Sequence, residues 1–257
     1  MSPMNRIAYN PSGKSITFTA DDHRYIDSDG QPYRSATQFI GSFFPKFDAE
    51  KMARTCSSGM NSKYSGRGPE EIMAEWQAEG DRGRDEGTNV HAYAEALMMH
   101  YPKALLPAPI SHRNEKLFQQ VNAAAFKLLR RYQFVGAEVI IFSPALGIAG
   151  TVDLLMFDHR AKDLIIFDWK QNKKLSYSNF YQRGLSPIEY LQDCDITHYE
   201  LQLSLYQMII ETEGYFPEAR EYRRELIHLT PEGYEQIPMG PCQYAIKEMI
   251  NHVQNIR

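Results

Sequence analysis

Three side chains suited to phosphoryl chemistry stand on two short apolar runs. Asp153 lies between Val152 and Leu154, and Asp168 and Lys170 bracket Trp169 after the run Leu164-Ile165-Ile166-Phe167. In a strand, residues i and i+2 face the same way, so Asp168 and Lys170 share a face. Carboxylates on largely buried strands are costly, and two of them close together call for a compensating cation, most economically a divalent metal ion. Two acids and one ammonium around a common space can hold such an ion, orient a water and steady a phosphate.

The elements that must position these groups can be read from periodicity. Residues 151–157 and 164–169 form two strands joined by a polar turn at 159–163, a hairpin pattern. A preceding strand at 137–142 carries Glu138 as its only charge, and alternation leaves open whether that carboxylate faces the site or solvent. A helix over 85–99 carries His91 and, one turn later on the same face, Glu95. His91 is either a metal ligand oriented by Glu95 or an ordinary half-buried histidine with a local ion pair. A helix over 196–213, with Asp195 as its cap and Gly214 as its stop, puts Gln202 and Tyr206 on one face.

Further upstream, residues 15–19, 23–26 and 32–35 read as a β meander with an Asp29-Gly30 turn. Short helices follow, one capped by Thr37 and one by Asp48. Residues 56–68, rich in Ser and Gly, read as a mobile lid. A helix from Pro69 runs to 79, where Gly80-Asp81-Arg82-Gly83 breaks it. A helix over 113–132, a strand over 221–229, a turn at 230–233 and a helix over 243–256 complete the chain. Between them, residues 171–194 form a long irregular segment whose Tyr177, Phe180, Tyr181 and Tyr190 alternate with basic residues. Such rings either stack on unpaired bases or pack into a small core of their own.

At 257 residues the chain has the length of one large domain or of a core with an appended lobe. No apolar run approaches the roughly 20 residues that cross a bilayer, and the first residues carry no leader pattern, so a cytoplasmic location is expected. The net charge of -4 weighs against a nucleic-acid partner only if clustering is ignored. Lys170, Lys173 and Lys174 fall within five residues, with Arg183 beyond and Arg82 and Arg84 ahead of His91. Cys56, Cys194 and Cys242 are too few and too scattered for a disulfide framework or a zinc knuckle.

Asp153, then Asp168-Trp169-Lys170 fifteen residues on, resembles the PD-(D/E)XK nuclease superfamily. The usual Pro before the first acid is absent; Gly150-Thr151-Val152-Asp153 stands there and is similar to the RecB-like exonuclease branch, which includes phage exonucleases and a mitochondrial genome-maintenance exonuclease. Gly87-Thr88-Asn89-Val90-His91 resembles that branch's histidine segment, and Gln202-Leu203-Ser204-Leu205-Tyr206 its Q-x-x-x-Y helix. The resemblance implies an α/β restriction-endonuclease-like core, helix, three strands, helix, strand, with a mixed central sheet flanked by helices. It also implies one nuclease domain over 1–257, with a meander and helical lobe at 1–83 and the catalytic core at 84–257.

The implied activity is Mg²⁺- or Mn²⁺-dependent exonucleolytic hydrolysis of DNA, preferring single-stranded or frayed ends, of the kind used in recombination and repair. One or two ions would be held by His91, Asp153, Asp168 and the Trp169 carbonyl. Lys170 would act on the attacking water, with Glu138, Gln202 and Tyr206 as further site residues. Lys173, Lys174, Tyr177, Tyr181 and Arg183 would contact DNA. Some relatives hold an iron–sulfur cluster with four cysteines; this chain has three, so none is expected. A structure-specific endonuclease on the same core and a non-catalytic DNA- or protein-binding module are the competing readings.

Overall fold

Strand-forming and helix-forming runs alternate along the chain, and in the computed structural model, which describes residues 5–19, 22–59, 63–100 and 102–256, they build one mixed sheet with helices on both faces. Strands β1 (Arg6–Tyr9), β2 (Ser15–Thr19), β3 (Arg24–Asp27) and β4 (Pro32–Ser35) form an antiparallel meander. Strands β5 (Gln133–Ser143) and β6 (Ile148–Asp158) pair antiparallel along most of their length. On its other edge β6 pairs first with β4, parallel, at Ile148 and Ala149. That same edge then pairs with β7 (Asp163–Lys170), antiparallel, but only from Leu154↔Phe167 to Asp158↔Asp163. Between these two partners the edge of β6 is open over 150–153: the sheet forks there. Strand β8 (Glu221–Thr230) runs parallel to β7, and β9 (Gly233–Pro238) closes that side.

Helices α1 (Ala36–Gly41), α5 (Asp195–Glu213) and α6 (Gln243–Ile256) cover one face, burying Val152, Leu155, Ile166 and Leu226 beneath them. Helices α3 (Pro69–Met98) and α4 (His112–Arg131) cover the other, over Leu154, Met156, Phe167 and Trp169. The alternation in β7 thus sends Phe167 and Trp169 to one layer and Ile166 to the other. Helix α2 (Ala49–Ser58) packs on the first half of α3 around Ala53 and Ile72. Among the described residues no helix is long and apolar enough to cross a membrane.

Several sequence expectations need correction. The break at residues 80–83 is absent: α3 runs unbroken for 30 residues, so the division at 83/84 falls inside a helix. Interior glycines cost about 1 kcal/mol each but do not by themselves end a helix, and at Gly87 the missing side chain lets α3 approach another segment. Gly83 accepts a hydrogen bond from the Gln171 side chain at 2.9 Å, and a Cβ on Gly87 would lie 2.8 Å from Gln171 Nε2. The cap of α1 is Ser35, in a reciprocal box with Gln38, not Thr37. Asp48 caps α2 as expected. Asp195 is the first residue of α5 rather than its cap, and its carboxylate accepts from Ser176 N and Oγ at 2.8 and 2.7 Å.

Of the stretch read as a mobile lid, 56–68, residues 60–62 lie outside the described residues. The remainder is anchored: Tyr64 is buried against Ala53 and Ile72, Trp76 Nε1 donates to its hydroxyl, and Arg67 pairs with Glu71 and Glu75. The short edge strands β1 and β9 carry no strong apolar pattern and escaped sequence reading.

Gly150 lies in the open part of β6, where a side chain would run into the Tyr206 ring of α5. Gly150→Ala therefore forces two packed elements apart and is expected to cost about 1–3 kcal/mol, read as a lower midpoint in urea unfolding with an unchanged slope.

Candidate metal centre

The site forms at the fork. Where β7 leaves β6, the Trp169 amide loses its place in the ladder, and Asp153 Oδ2 accepts from it at 2.8 Å. The carboxylate thus replaces a strand carbonyl and stays on rigid backbone. Across the β5–β6 ladder, Ala137 faces Leu154 and Val139 faces Val152, which sets Glu138 opposite Asp153. Glu138 has φ +49°, in the left-handed region that a non-glycine residue enters at a cost of order 1–3 kcal/mol, and such strain tends to collect at functional sites. It breaks the strict alternation of β5. His91 then enters from α3, its Nδ1 3.5 Å from Glu138 Oε1 and 3.4 Å from Asp153 Oδ2.

His91, Glu138 and Asp153 each offer a ligand atom, all within 4.8 Å of one another. One imidazole nitrogen and two carboxylates make a donor set that suits a hard divalent cation such as Mg²⁺ or Mn²⁺ better than a soft one, so the residues fit the metal that the sequence reading anticipates. The membership differs from expectation. Asp168 falls outside this cluster and is 2 % exposed. Its Oδ2 pairs with the Lys170 ammonium, and Gln202 Nε2 donates to its Oδ1 at 3.2 Å and to Tyr206 Oη at 3.1 Å. Sequence reading placed Asp168 and Lys170 on one face, and they are there, on the α5 side of the sheet, with Lys170 Nζ 4.9 Å from the centre of the Tyr199 ring.

Glu95 does not orient His91; it pairs with Arg6 of β1 at 2.9 Å. Trp169 puts its indole into the α3–α4 core and its amide on Asp153.

The electrostatics are those of charge confined in a small space. Burial disfavours the charged His91 ring, but Asp153 and Glu138 outweigh it and hold the imidazolium well above its usual range. Burial likewise pushes Glu138 up, while His91 and Lys170 outweigh it at Asp153 and bring that carboxyl down. Burial pushes Asp168 up to about 6, Lys170 opposing and Asp153 adding to the rise. Burial would lower Lys170, yet Asp168 and Asp153 keep its ammonium above the usual lysine range.

Sequence reading missed the groups that hold the chain just beyond Lys170. Arg113 of α4 donates to the Gln171 carbonyl and to Glu86 Oε2, both at 2.6 Å. Glu86 Oε1 in turn accepts from Ser111 Oγ, the cap of α4. Asn172 Nδ2 donates to Tyr199 Oη at 2.8 Å. No spacing pattern links 86, 113 and 171, and nothing in the sequence singles out Glu86. The predicted DNA-contact residues are not gathered at the cluster. Lys173 and Lys174 are exposed just past the strand, Tyr177 and Tyr181 stand 63 % and 97 % exposed, and Arg183 donates to the Tyr190 carbonyl at 3.2 Å. The rings at 177, 180 and 181 therefore form no small core of their own, while Ile188 anchors the segment to the main one.

No family model matches the chain, and no curated protein does. Two solved structures are slightly similar. One, from Eubacterium rectale, described as a "Putative exonuclease", is 10% identical over 87% of this chain and 79% of its own, with a TM-score of 0.36. The other, SSO0001, is 13% identical over 66% of this chain and 74% of its own, with a TM-score of 0.24. Neither likeness is close enough to bear on function.

Two outcomes follow from the cluster. Mn²⁺ at a hundred times its dissociation constant is expected to stabilise the protein by about 2.7 kcal/mol, about 5–10 °C in a thermal melt, and Glu138→Gln is expected to abolish most of that rise. Because the metal-free His91 holds a proton that a metal must displace, Mn²⁺ affinity falls as the pH is lowered from 8 to 6, by up to about tenfold per unit; calorimetry in buffers of different ionisation enthalpy reads the released proton.

Proposed function

We propose that this chain is a metal-dependent deoxyribonuclease, hydrolysing phosphodiester bonds from single-stranded or frayed DNA ends with Mg²⁺ or Mn²⁺ as cofactor. The observation that carries the reading is the meeting of His91, Glu138 and Asp153 within 4.8 Å, beside the Asp168–Lys170 ion pair on the adjoining strand. Phosphodiester hydrolysis needs an oriented water, compensation of charge on the phosphoryl oxygens and help for the leaving oxygen. A divalent ion at the cluster supplies electrophilic compensation and a more acidic water.

The chain's own residues do the rest. His91, Glu138 and Asp153 would hold the ion, with Asp168 and the Trp169 carbonyl as further candidate ligands. Lys170 Nζ, fixed by Asp168 and lying over the Tyr199 ring, orients the attacking water and donates to a non-bridging phosphate oxygen. Gln202 and Tyr206 keep Asp168 from turning away, since the Gln202 amide bridges both. The basic residues Lys173, Lys174 and Arg183 and the exposed Tyr177 and Tyr181 suit the backbone and bases of an unpaired strand, a ring-and-cation surface of the sort that holds single strands.

Incubation of end-labelled single- and double-stranded DNA with protein and Mg²⁺ or Mn²⁺ tests this reading. Asp153→Asn and Lys170→Ala are each expected to lose at least about a hundredfold in kcat/KM, the usual contribution of a positioned acid–base group. Covalently closed circles are expected to remain whole; their cleavage would reassign the activity to an endonuclease, and undiminished degradation by both variants would remove the mechanism.

A further inference from the structure

Helix α3 passes two hollows on its way across the site. Its Arg82, Gly83, Arg84 and Glu86 line a space of about 690 Å³, shared with Arg113 and Lys173. Two turns on, His91 sits in the metal cluster. One further turn along, Glu95 holds Arg6, which lines a second space of about 340 Å³ that also reaches Glu138, Thr151 and Tyr206. The cluster therefore lies between the two hollows, and Glu138 belongs to both the cluster and the second one.

Their chemistry differs. The larger hollow presents Arg82, Arg84, Arg113 and Lys173 beside the carboxylates of Glu79 and Glu86; Arg84 pairs with Asp81 and Arg113 with Glu86, and among the described residues its lining holds no aromatic ring. The smaller has a ring wall from the β2–β3 hairpin: Phe18 stands 4.9 Å from Tyr25 and 5.4 Å from His23, centre to centre. Polar groups sit beside that wall, where Tyr25 Oη and Thr151 Oγ1 are 2.8 Å apart. Arg6 brings a cation to the hollow, but Glu95 already pairs with it, and its Nη1 donates to the Glu138 carbonyl at 3.4 Å. A second phosphate would meet the Glu138 carboxylate, and the Arg6 guanidinium that could balance it is already paired. A neutral, flat group with polar edges meets rings and hydroxyls.

We propose that the smaller hollow is a nucleobase subsite, which receives the base next to the scissile phosphate while the phosphates of the continuing strand lie along Arg82 and Lys173. At about 340 Å³ it is at the small end of ligand pockets, which run from about 300 to 1,000 Å³, and it has room for one nucleoside. The N-terminal meander thereby supplies the wall on which a strand end stops. This rests on the nuclease reading and adds to it a release of single nucleotides.

The test uses full-length protein with Mn²⁺ and single strands whose terminal nucleotide, at either end, is normal or abasic. Loss of the terminal base is expected to lower kcat/KM by about 5- to 150-fold, the effect of one base–aromatic stack. Phe18→Ala should erase that difference and Phe18→Tyr should keep it, with the Mn²⁺-induced melting shift showing that both variants are folded. In Lys170→Ala protein, 2-aminopurine at the strand end should lose fluorescence on binding, and should not when Phe18→Ala is added. Cleavage that ignores the missing base overturns the subsite and leaves the nuclease reading standing. Absence of any Mn²⁺-dependent cleavage overturns both.

Discussion

The fork in the sheet is the constraint on which the rest of the molecule depends. A continuous β6–β7 ladder would satisfy every backbone group and leave no space for chemistry. By parting at Leu154 and Phe167, the two strands open a wedge, and the Asp153 carboxylate restores the hydrogen bond that the Trp169 amide loses. The same bond keeps a charge on rigid backbone. The cost is electrostatic: two carboxylates, an imidazolium and a nearby ammonium–carboxylate pair share a poorly solvated space, and each raises or lowers the proton affinity of the next. Such an arrangement is tolerable because opposite charges alternate within it, and a divalent cation would relieve it further.

Much of the surrounding structure serves to keep that wedge open and correctly filled. On one side, the Tyr206 ring occupies the space that glycine leaves at position 150, and Gln202 ties it to Asp168. On the other, α3 brings His91 to the acids, and its unbroken length makes it a rigid ruler across the site. The contact between its glycine-rich middle and Gln171, together with the Glu86–Arg113 pair, fixes the chain directly after Lys170. These groups touch no reacting atom. They set the angle at which β7 delivers its last two side chains.

The N-terminal meander continues the sheet through β4 and rests its own small core, Ile16 and Tyr25, on Ile140, Phe142 and Ala149. It therefore extends the sheet and walls the wedge opposite β7. Arg6 binds both Glu95 and the carbonyl of Glu138, so the first strand helps hold the one residue of the cluster whose backbone is strained.

Local pattern determined a good deal. The alternating apolar runs of β6 and β7 located Asp153, Asp168 and Lys170 and put the last two on one face, and helical periodicity located His91, Gln202 and Tyr206 on the elements where they are found. Those properties follow from repeat geometry within one element, which a sequence carries directly. Only the tertiary structure decided that Glu138 stands with His91 and Asp153 while Asp168 turns to Lys170 and Gln202, that Glu95 turns to Arg6, that α3 runs through four residues that look like a break, and that Glu86 and Arg113 brace Gln171. Each of these depends on how elements meet: a left-handed residue that overrides alternation, a helix held through its glycines by the packing of both its halves, a pairing across tens of residues. Spacing along a chain fixes which way a side chain leaves its own helix or strand, but not what the packing of the other elements places in front of it.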